Sequence, residues 1–491
     1  MPAARDDTSG TERENDMSMS APHSPPLPPL AGLCSFDEAQ RSEMSVEDCV
    51  AWMKRHHYLL LRLHEIFISR ITAEPLFELK TAFSLHAYYC AEQASAFRQR
   101  IGELREPPLG LDVLPHDGLK LLCDEVLASP SHTELVLGIY EVIVPAFIES
   151  LQLYQRTTNL LADAPSVRVT RFCLLEMQDL ATFGQQAVST LVDADARTTL
   201  APWLAVLRQA LQSAGEVSGR IVDASIPLPE PRFSAEPFAY DPIPKRDARF
   251  HDSYNGGVNP EAFLYDDRFS PRDKVLMMLY KRLREIDVPE MMASILQQTP
   301  GKPWKYYRDM TRQLWDEARH SLLGEVGFVH LGLDWSQIPI NFTWSLNLNT
   351  QLEPWERHAV LFFIEQGLMP RTGKRFEWEV GQNSGIPLAA VIQDFDWADE
   401  VLHAQIGREW YVKQFGDLNE AMSYGDRCWS KVMSHWRGYL DSGLTNHANW
   451  WPALYQAACA RWKVAPDPAA LLFDTTYENT RADLKDISAS G

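Results

Sequence analysis

The sequence predicts an all-α protein: a helical N-terminal unit, a proline-rich connector and a second unit built as a four-helix bundle. Three observations predict it. Apolar residues recur at spacings of three and four over most of the chain, Gly and Pro are sparse between Trp52 and Arg105, and no convincing run of alternating strand residues appears. The 491 residues, 45% hydrophobic and 23% charged, have an ordinary globular composition and suffice for two or three domains with real cores. Acidic residues outnumber basic ones 66 to 46, a net charge of −20. That field repels phosphate, so nucleic acid or an anionic membrane is excluded as the main partner. No run of about 18 apolar residues is present to span a bilayer.

Residues 1–35 read as a disordered tail, polar and then rich in proline (Pro25, Pro26, Pro28, Pro29), without the charged start and apolar run of a signal peptide. The seven cysteines are scattered and form no CxxC pair, so neither a disulfide framework nor a thiolate zinc site is expected, and the location expected is cytoplasmic. The N-terminal unit, 36–222, is helical from about Ser45 to Val192. Turn signals fall at Glu106-Pro107-Pro108, Ser129-Pro130-Ser131 and Ala164-Pro165-Ser166, and a further helix is expected from Pro202 to Ala214.

Between Ile226 and Pro271 prolines crowd around Asn255-Gly256-Gly257, which marks 223–270 as an irregular connector. Tryptophan usage also shifts across it, with only Trp52 and Trp203 before residue 300. The second unit, 271–465, should hold helices near 272–298, 303–330, 353–370 and 387–414, then a helical region from Leu418 to Trp462. Pro271, Pro303, Pro354 and Pro387 sit where first turns would begin, which suits their fixed φ. Four long helices in sequence predict a bundle. Residues 466–491 read as a C-terminal tail.

Within the bundle lie two Glu-x-x-His pairs, Glu317/His320 and Glu400/His403. A three-residue offset on a helix is about 300°, so each pair presents both side chains to one face, where they can bind one metal. One such pair is weak evidence, because a solvated helix face gives the same pattern. The surroundings repeat, however. Asp316-Glu317-Ala318-Arg319-His320-Ser321-Leu322-Leu323-Gly324 matches Asp399-Glu400-Val401-Leu402-His403-Ala404-Gln405-Ile406-Gly407, with each position 83 residues after its counterpart. This is the mark of a duplicated half-site.

Each half-site needs a carboxylate from the preceding helix. Glu285 precedes Glu317 by 32 residues and Glu365 precedes Glu400 by 35. The interval midpoints fall near Gly301 and Gln382, in turn-like sequence, so antiparallel hairpins bring each pair level. Glu365 lies on an apolar stripe with Leu361, Phe362 and Leu368, and Glu317 shares a face with Met310 and Leu314. A carboxylate on an apolar stripe must be paired, protonated or metal-bound. Four carboxylates, two neutral imidazoles and two divalent ions sum to zero charge.

The order Glu, Glu-x-x-His, Glu, Glu-x-x-His over residues 270–415 resembles the ferritin-like di-iron carboxylate superfamily. Arg284-Glu285-Ile286-Asp287-Val288-Pro289-Glu290-Met291-Met292 is also similar to the first helix of poorly characterised members. The resemblance implies that Glu285, Glu317 and His320 hold one metal and Glu365, Glu400 and His403 the other, with Glu317 and Glu400 bridging as the catalytic pair. Glu290 competes with Glu285, because it lies on the stripe of Leu279, Leu283 and Ile286 while Lys281 and Arg282 flank Glu285. Pro289 should kink the helix between them.

Gly324 stands where ribonucleotide reductase radical subunits carry a tyrosine, and Asp396 stands where ferritin-like N-oxygenases carry an extra His. Asp396 is either an added ligand or an outer acceptor, and Asp316 and Asp399 are placed to accept the free N–H of a ligating His. The N-terminal unit is either a decayed second ferritin-like bundle, with Glu141, Glu176 and Asp179 as remnants, or an unrelated helical domain. Phe362, Phe363, Trp315 and Trp397 serve either as core or as pocket wall.

These readings imply a di-iron or iron/manganese oxidoreductase that uses O2 as co-substrate to oxidise a small organic molecule. Asn255-Gly256-Gly257 is not a dinucleotide fingerprint, so an external reductase or ferredoxin is the expected electron donor, and a homodimer is left open. The alternative is a non-catalytic, metal-stabilised helical interaction or iron-binding protein.

Overall fold

The computed structural model describes residues 27–433 and 437–477, and most of both expected tails lies outside them. Among the described residues the chain is all-α, with no strand. In the N-terminal unit α1 (Val46–Arg70) and α2 (Phe77–Leu104) form a long hairpin. Ser45 starts α1 with a capping box: its hydroxyl accepts from the Asp48 N–H while Asp48 accepts from the Ser45 N–H. Then come α3 (Asp117–Leu127) and α4 (His132–Leu137), which runs through a π-helical stretch into α5 (Val144–Thr157). The unit ends with α6 (Ala164–Leu191) and α7 (Ala194–Ser213). The helix expected from Pro202 begins eight residues earlier, because Asp193 caps it through the Ala196 N–H, and Pro202 sits inside.

The connector has no helix between Ser213 and Pro260. It is pinned down nonetheless. Glu125, fully buried on α3, accepts from the backbone N–H groups of Arg232, Phe233 and Ser234, the Ser234 hydroxyl and the Trp203 indole.

The second unit places α8 (Pro271–Arg284) and α9 (Asp287–Gln297) where one long helix was expected. The break falls at Glu285-Ile286. Pro289 has no N–H to give the Glu285 carbonyl, which accepts from Val288 instead, and a new first turn begins. Next are α10 (Trp304–His330), α11 (Thr343–Gln351), α12 (Pro354–Gly367), α13 (Lys374–Asn383) and α14 (Pro387–Gly407). Two of these, α11 and α13, occupy segments read as connectors. Finally α15 (Leu418–Met433) packs on α12, and α16 (Trp451–Trp462) shares a hydrophobic cluster with α8.

Helix α10 packs on α8, α9 and α14, while α12 packs on α9 and α14, so α8/α9, α10, α14 and α12 ring a common interior. Two glycines set the spacing. A Cβ on Gly324 would lie 2.3 Å from the Leu283 backbone nitrogen of α8, and one on Gly407 would lie 2.3 Å from the Phe362 ring of α12. The duplicated motif thus ends, in both copies, on the glycine that lets its hairpin partner approach.

The two units share one hydrophobic core. Buried side chains from α1 and α2 continue without interruption into those of α9, α10 and α12, and α2 lies along α10. Lys80 of α2 and Arg246 of the connector both pair with Glu290 of α9, all fully or nearly fully buried. No helix among the described residues is long and apolar enough to cross a membrane.

Candidate metal centre

Six side chains singled out by spacing and resemblance meet inside the ring of helices. Glu285 caps the end of α8, Glu317 and His320 project from α10, Glu365 from α12, and Glu400 and His403 from α14. Asp396, one turn before Glu400, joins them. Donor atoms of Glu285, His320, Asp396 and Glu400 lie within 4.8 Å of one another, as do those of Glu317, Glu365, Glu400 and His403. Glu400 belongs to both groups. All but Glu285 are at most 3% exposed.

Both imidazoles turn Nδ1 inward. His320 Nδ1 lies 3.5 Å from Glu285, 3.6 Å from Glu317 and 3.5 Å from Asp396. His403 Nδ1 lies 3.1 Å from Glu317, 3.4 Å from Glu400 and 3.9 Å from Glu365. Neither nitrogen has a hydrogen-bond partner, and neither has Oε2 of Glu285 or Glu400, although all four atoms are buried. Buried polar atoms rarely go unpartnered, so four of them distributed over these two groups mark a candidate cation site.

The outward nitrogens are fixed by the other motif. His320 Nε2 donates to Asp399 at 3.1 Å and His403 Nε2 to Asp316 at 3.4 Å. An ionised carboxylate can only accept, so each His must carry its proton on Nε2, leaving Nδ1 as the inward-facing lone pair when neutral. Arg319 donates to both aspartates at 2.7 Å and Arg312 to Asp316 at 2.8 Å.

Burial alone would raise the Asp316 carboxyl, but donation from His403 and the two arginines holds it well below the ordinary range. Glu317 is likewise buried, yet the neighbouring imidazoles of His320 and His403 hold it down to about 2. Glu365 goes the other way, pushed up by burial and by Glu400, with Gln313 donating to its Oε1 at 3.1 Å. His320 is held up to about 10 against its burial by Asp399, Glu285 and Glu317.

Two cations sit among the carboxylates. Lys374, fully buried at the start of α13, places Nζ 2.9 Å from both Asp396 oxygens and 2.8 Å from Glu400 Oε1. Arg282 pairs with Asp396 and, at 2.6 Å, with Glu285. Sequence reasoning missed both. Arg282 stands three residues before Glu285, the spacing that shares a helix face, but from the sequence it counts only as a polar neighbour of Glu285. Lys374 follows Pro370-Arg371-Thr372-Gly373, where nothing in spacing signals burial. Neither enters the charge count made from the sequence, which also omits Asp396.

Glu290 is not in the cluster. It accepts from Lys80, Arg246 and the Ser345 hydroxyl. In the N-terminal unit Glu141 pairs with Arg197, and Glu176 accepts from Gln93. His358 is buried beside Tyr411, while His330 is exposed. Phe363 lines a cavity, and Phe362 packs in the core.

A cavity of about 60 Å³ abuts Glu317, Glu365 and Glu400, its other walls being mainly apolar, among them Met291, Leu348 and Leu361. The centre therefore offers oxygen-rich ligands, two oriented imidazoles and a small, mainly apolar space beside them. Comparison of the chain with protein-family models, with curated proteins and with solved structures finds no match.

Proposed function

We propose that this chain is a ferritin-like di-iron or iron/manganese oxidoreductase that uses O2 to oxidise a small organic substrate. The observation that carries the reading is the pair of buried His Nδ1 atoms, unpartnered and facing carboxylates while Nε2 is held by aspartate. Oxygen and imidazole donors without thiolate suit iron and manganese. Glu285, His320, Asp396 and Glu400 would hold one ion, and Glu317, Glu365, Glu400 and His403 the other. Two such ions, when bound, would supply electrons and open coordination positions for the reduction of O2.

The protein's own part follows from the geometry. Asp316, Asp399 and Arg319 fix the imidazole orientations. Lys374 holds a proton donor 2.8 Å from Glu400 Oε1. The apolar cavity walls keep water from the space where substrate and centre meet. Five carboxylates against Lys374 and Arg282 leave three negative charges, and two divalent ions turn these into one positive charge. An anionic co-ligand would complete neutrality. Electrons would come from a separate reductase or ferredoxin.

The test is metal content after anaerobic loading with ferrous iron, followed by O2 uptake. About two ions per chain are expected, with uptake lost in His320→Ala/His403→Ala. No bound metal, or uptake unchanged in the double variant, overturns the reading. A second reading rests on Lys374 and Arg282, which already neutralise Asp396 and Glu400. It is a single ion held by Glu317, Glu365, Glu400 and His403, structural in role. It predicts one ion per chain and a ferrous form inert to O2.

A further inference from the structure

Helix α6 of the amino-terminal unit has one face covered and the other bare. Inward it sends Thr170, Cys173, Met177, Leu180 and Gly184, all buried, where the helix packs on α2 and α5. Half a turn round, Arg168, Phe172, Leu175, Asp179, Thr182 and Gln186 are exposed. Phe172 is 50% exposed and Leu175 58%, side by side at the centre of the stripe. Its steps of four, three, four, three and four residues are those of a coiled-coil seam.

The apolar surface continues beside the stripe. An open groove of about 660 Å³ runs along α6 between Phe172 and Leu175 and the side chains of Leu33, Leu160 and Val167. Leu161, just before the helix, is 40% exposed. A contiguous apolar patch of this kind marks a docking surface.

The order of residues along the stripe says what docks. Phe172 and Leu175 are equidistant from the Cys173–Leu174 peptide, and so are Arg168 and Asp179. The stripe is thus complementary to its own reverse. Laid antiparallel on a second α6 about that point, each Phe172 meets a Leu175, and each Arg168 meets an Asp179. One layer further out Thr182 meets Pro165, and beyond it Gln186 meets Leu161. The flanking positions bring Arg171 towards Gln178 and Val169 towards Glu176, so no like charges oppose one another. A parallel arrangement would set Arg168 against Arg168 and Asp179 against Asp179. The matched span, from Ala164 to Phe183, is about 30 Å long at 1.5 Å per residue.

We infer that two copies of this chain associate through α6, antiparallel, about a two-fold axis at the Cys173–Leu174 peptide. The same patch serves on both subunits, as an isologous interface requires. Phe172 and Leu175 form its apolar centre, and two Arg168–Asp179 pairs close its ends and fix its direction. Arg168, whose guanidinium already lies 4.7 Å from the centre of the Phe172 ring, would shield that ring from water while reaching the carboxylate. The inference draws on nothing in the metal centre, so the two stand or fall separately.

The experiment is sedimentation equilibrium of the full chain at micromolar concentration, with helical content followed by circular dichroism. A particle of twice the 55.9 kDa chain mass is expected. Phe172→Glu, at a position open to solvent, should leave the helical content unchanged and give a monomer. Arg168→Asp and Asp179→Arg, each alone, oppose like charges across the seam and should weaken the dimer about tenfold or more. Combined in one chain they exchange the partners and should restore the wild-type dissociation constant. A monomeric wild-type chain, a Phe172→Glu chain that dimerises as well as wild type, or a double exchange that fails to recover what the single changes lose overturns the inference.

Discussion

His320 donates its Nε2 proton to Asp399, a residue of the other Glu-x-x-His helix, and His403 returns the arrangement to Asp316. Each half-site is thus oriented by the other. Asp399→Asn should allow the side-chain amide to face the imidazole with a donor, loosening the tautomer on which an inward lone pair depends. Loss of such outer partners costs roughly 10- to 100-fold in metal affinity. The expected outcome is weaker ferrous binding in competition with a chelator at unchanged helical content. Because Arg319 joins the two aspartates, Asp316→Asn should weaken binding to a similar extent, and full affinity in both variants would contradict the arrangement.

Gly324 and Gly407 end the two motif copies and set two helix spacings, but the obstacles differ. A methyl group at 324 meets the Leu283 backbone, two residues from Glu285, whereas at 407 it meets a ring that can turn. Gly324→Ala should cost about 2–3 kcal/mol and Gly407→Ala about 1 kcal/mol, within the range for overpacking. Thermal unfolding of the metal-free chain reads the difference. Equal midpoints would mean that α8 yields as easily as a side chain.

Glu125 gathers five donors and thereby ties the connector to α3 and α7. Those donors overcome its burial and lower its pKa from 4.5. A depressed carboxyl stabilises the fold above pH 4.5, and the contribution fades as pH falls through the lowered value. Glu125→Gln puts an amide donor against donors already present and should cost about 2–4 kcal/mol at pH 7. Cleavage within 226–246 by a protease should become faster, and an unchanged rate would place the anchor elsewhere.

His57 carries a different pH signature. Burial, aided by Arg98, pushes it from 6.5 down to about 4, and both ring nitrogens are buried without partners. Below pH 6.5 the unfolded chain takes up a proton that the folded chain refuses. Stability should therefore fall as pH drops from 6.5 towards 4, by about 2 kcal/mol at pH 5 for this group alone. His57→Leu should flatten that limb of the melting-temperature profile, and a superimposable profile would show that His57 is solvated.

The sequence discloses the helices and the six clustered side chains because both depend on local period. Three- and four-residue spacing places apolar faces, and a motif repeated 83 residues apart exposes a duplicated half-site. Arg282 and Lys374 escape such reasoning, since no local rule says that a basic residue is buried when its partners come from other helices. The choice between Glu285 and Glu290 is also long-range. It is resolved by Lys80 and Arg246, which lie 210 and 44 residues from Glu290 and claim its carboxylate. Helix α11 went unread because Thr343-Trp344-Ser345-Leu346-Asn347 has almost no amphipathic contrast, and its burial comes from the surrounding helices.

The core shared between α1, α2 and the site-bearing helices has a thermodynamic consequence. Excising the first 222 residues would strip α10 of its neighbour and leave Glu290 buried with one cation in place of two. The two halves should therefore melt in a single cooperative transition, and ions bound between α10 and α14 should raise the unfolding temperature of the amino-terminal helices as much as that of the helices that hold them.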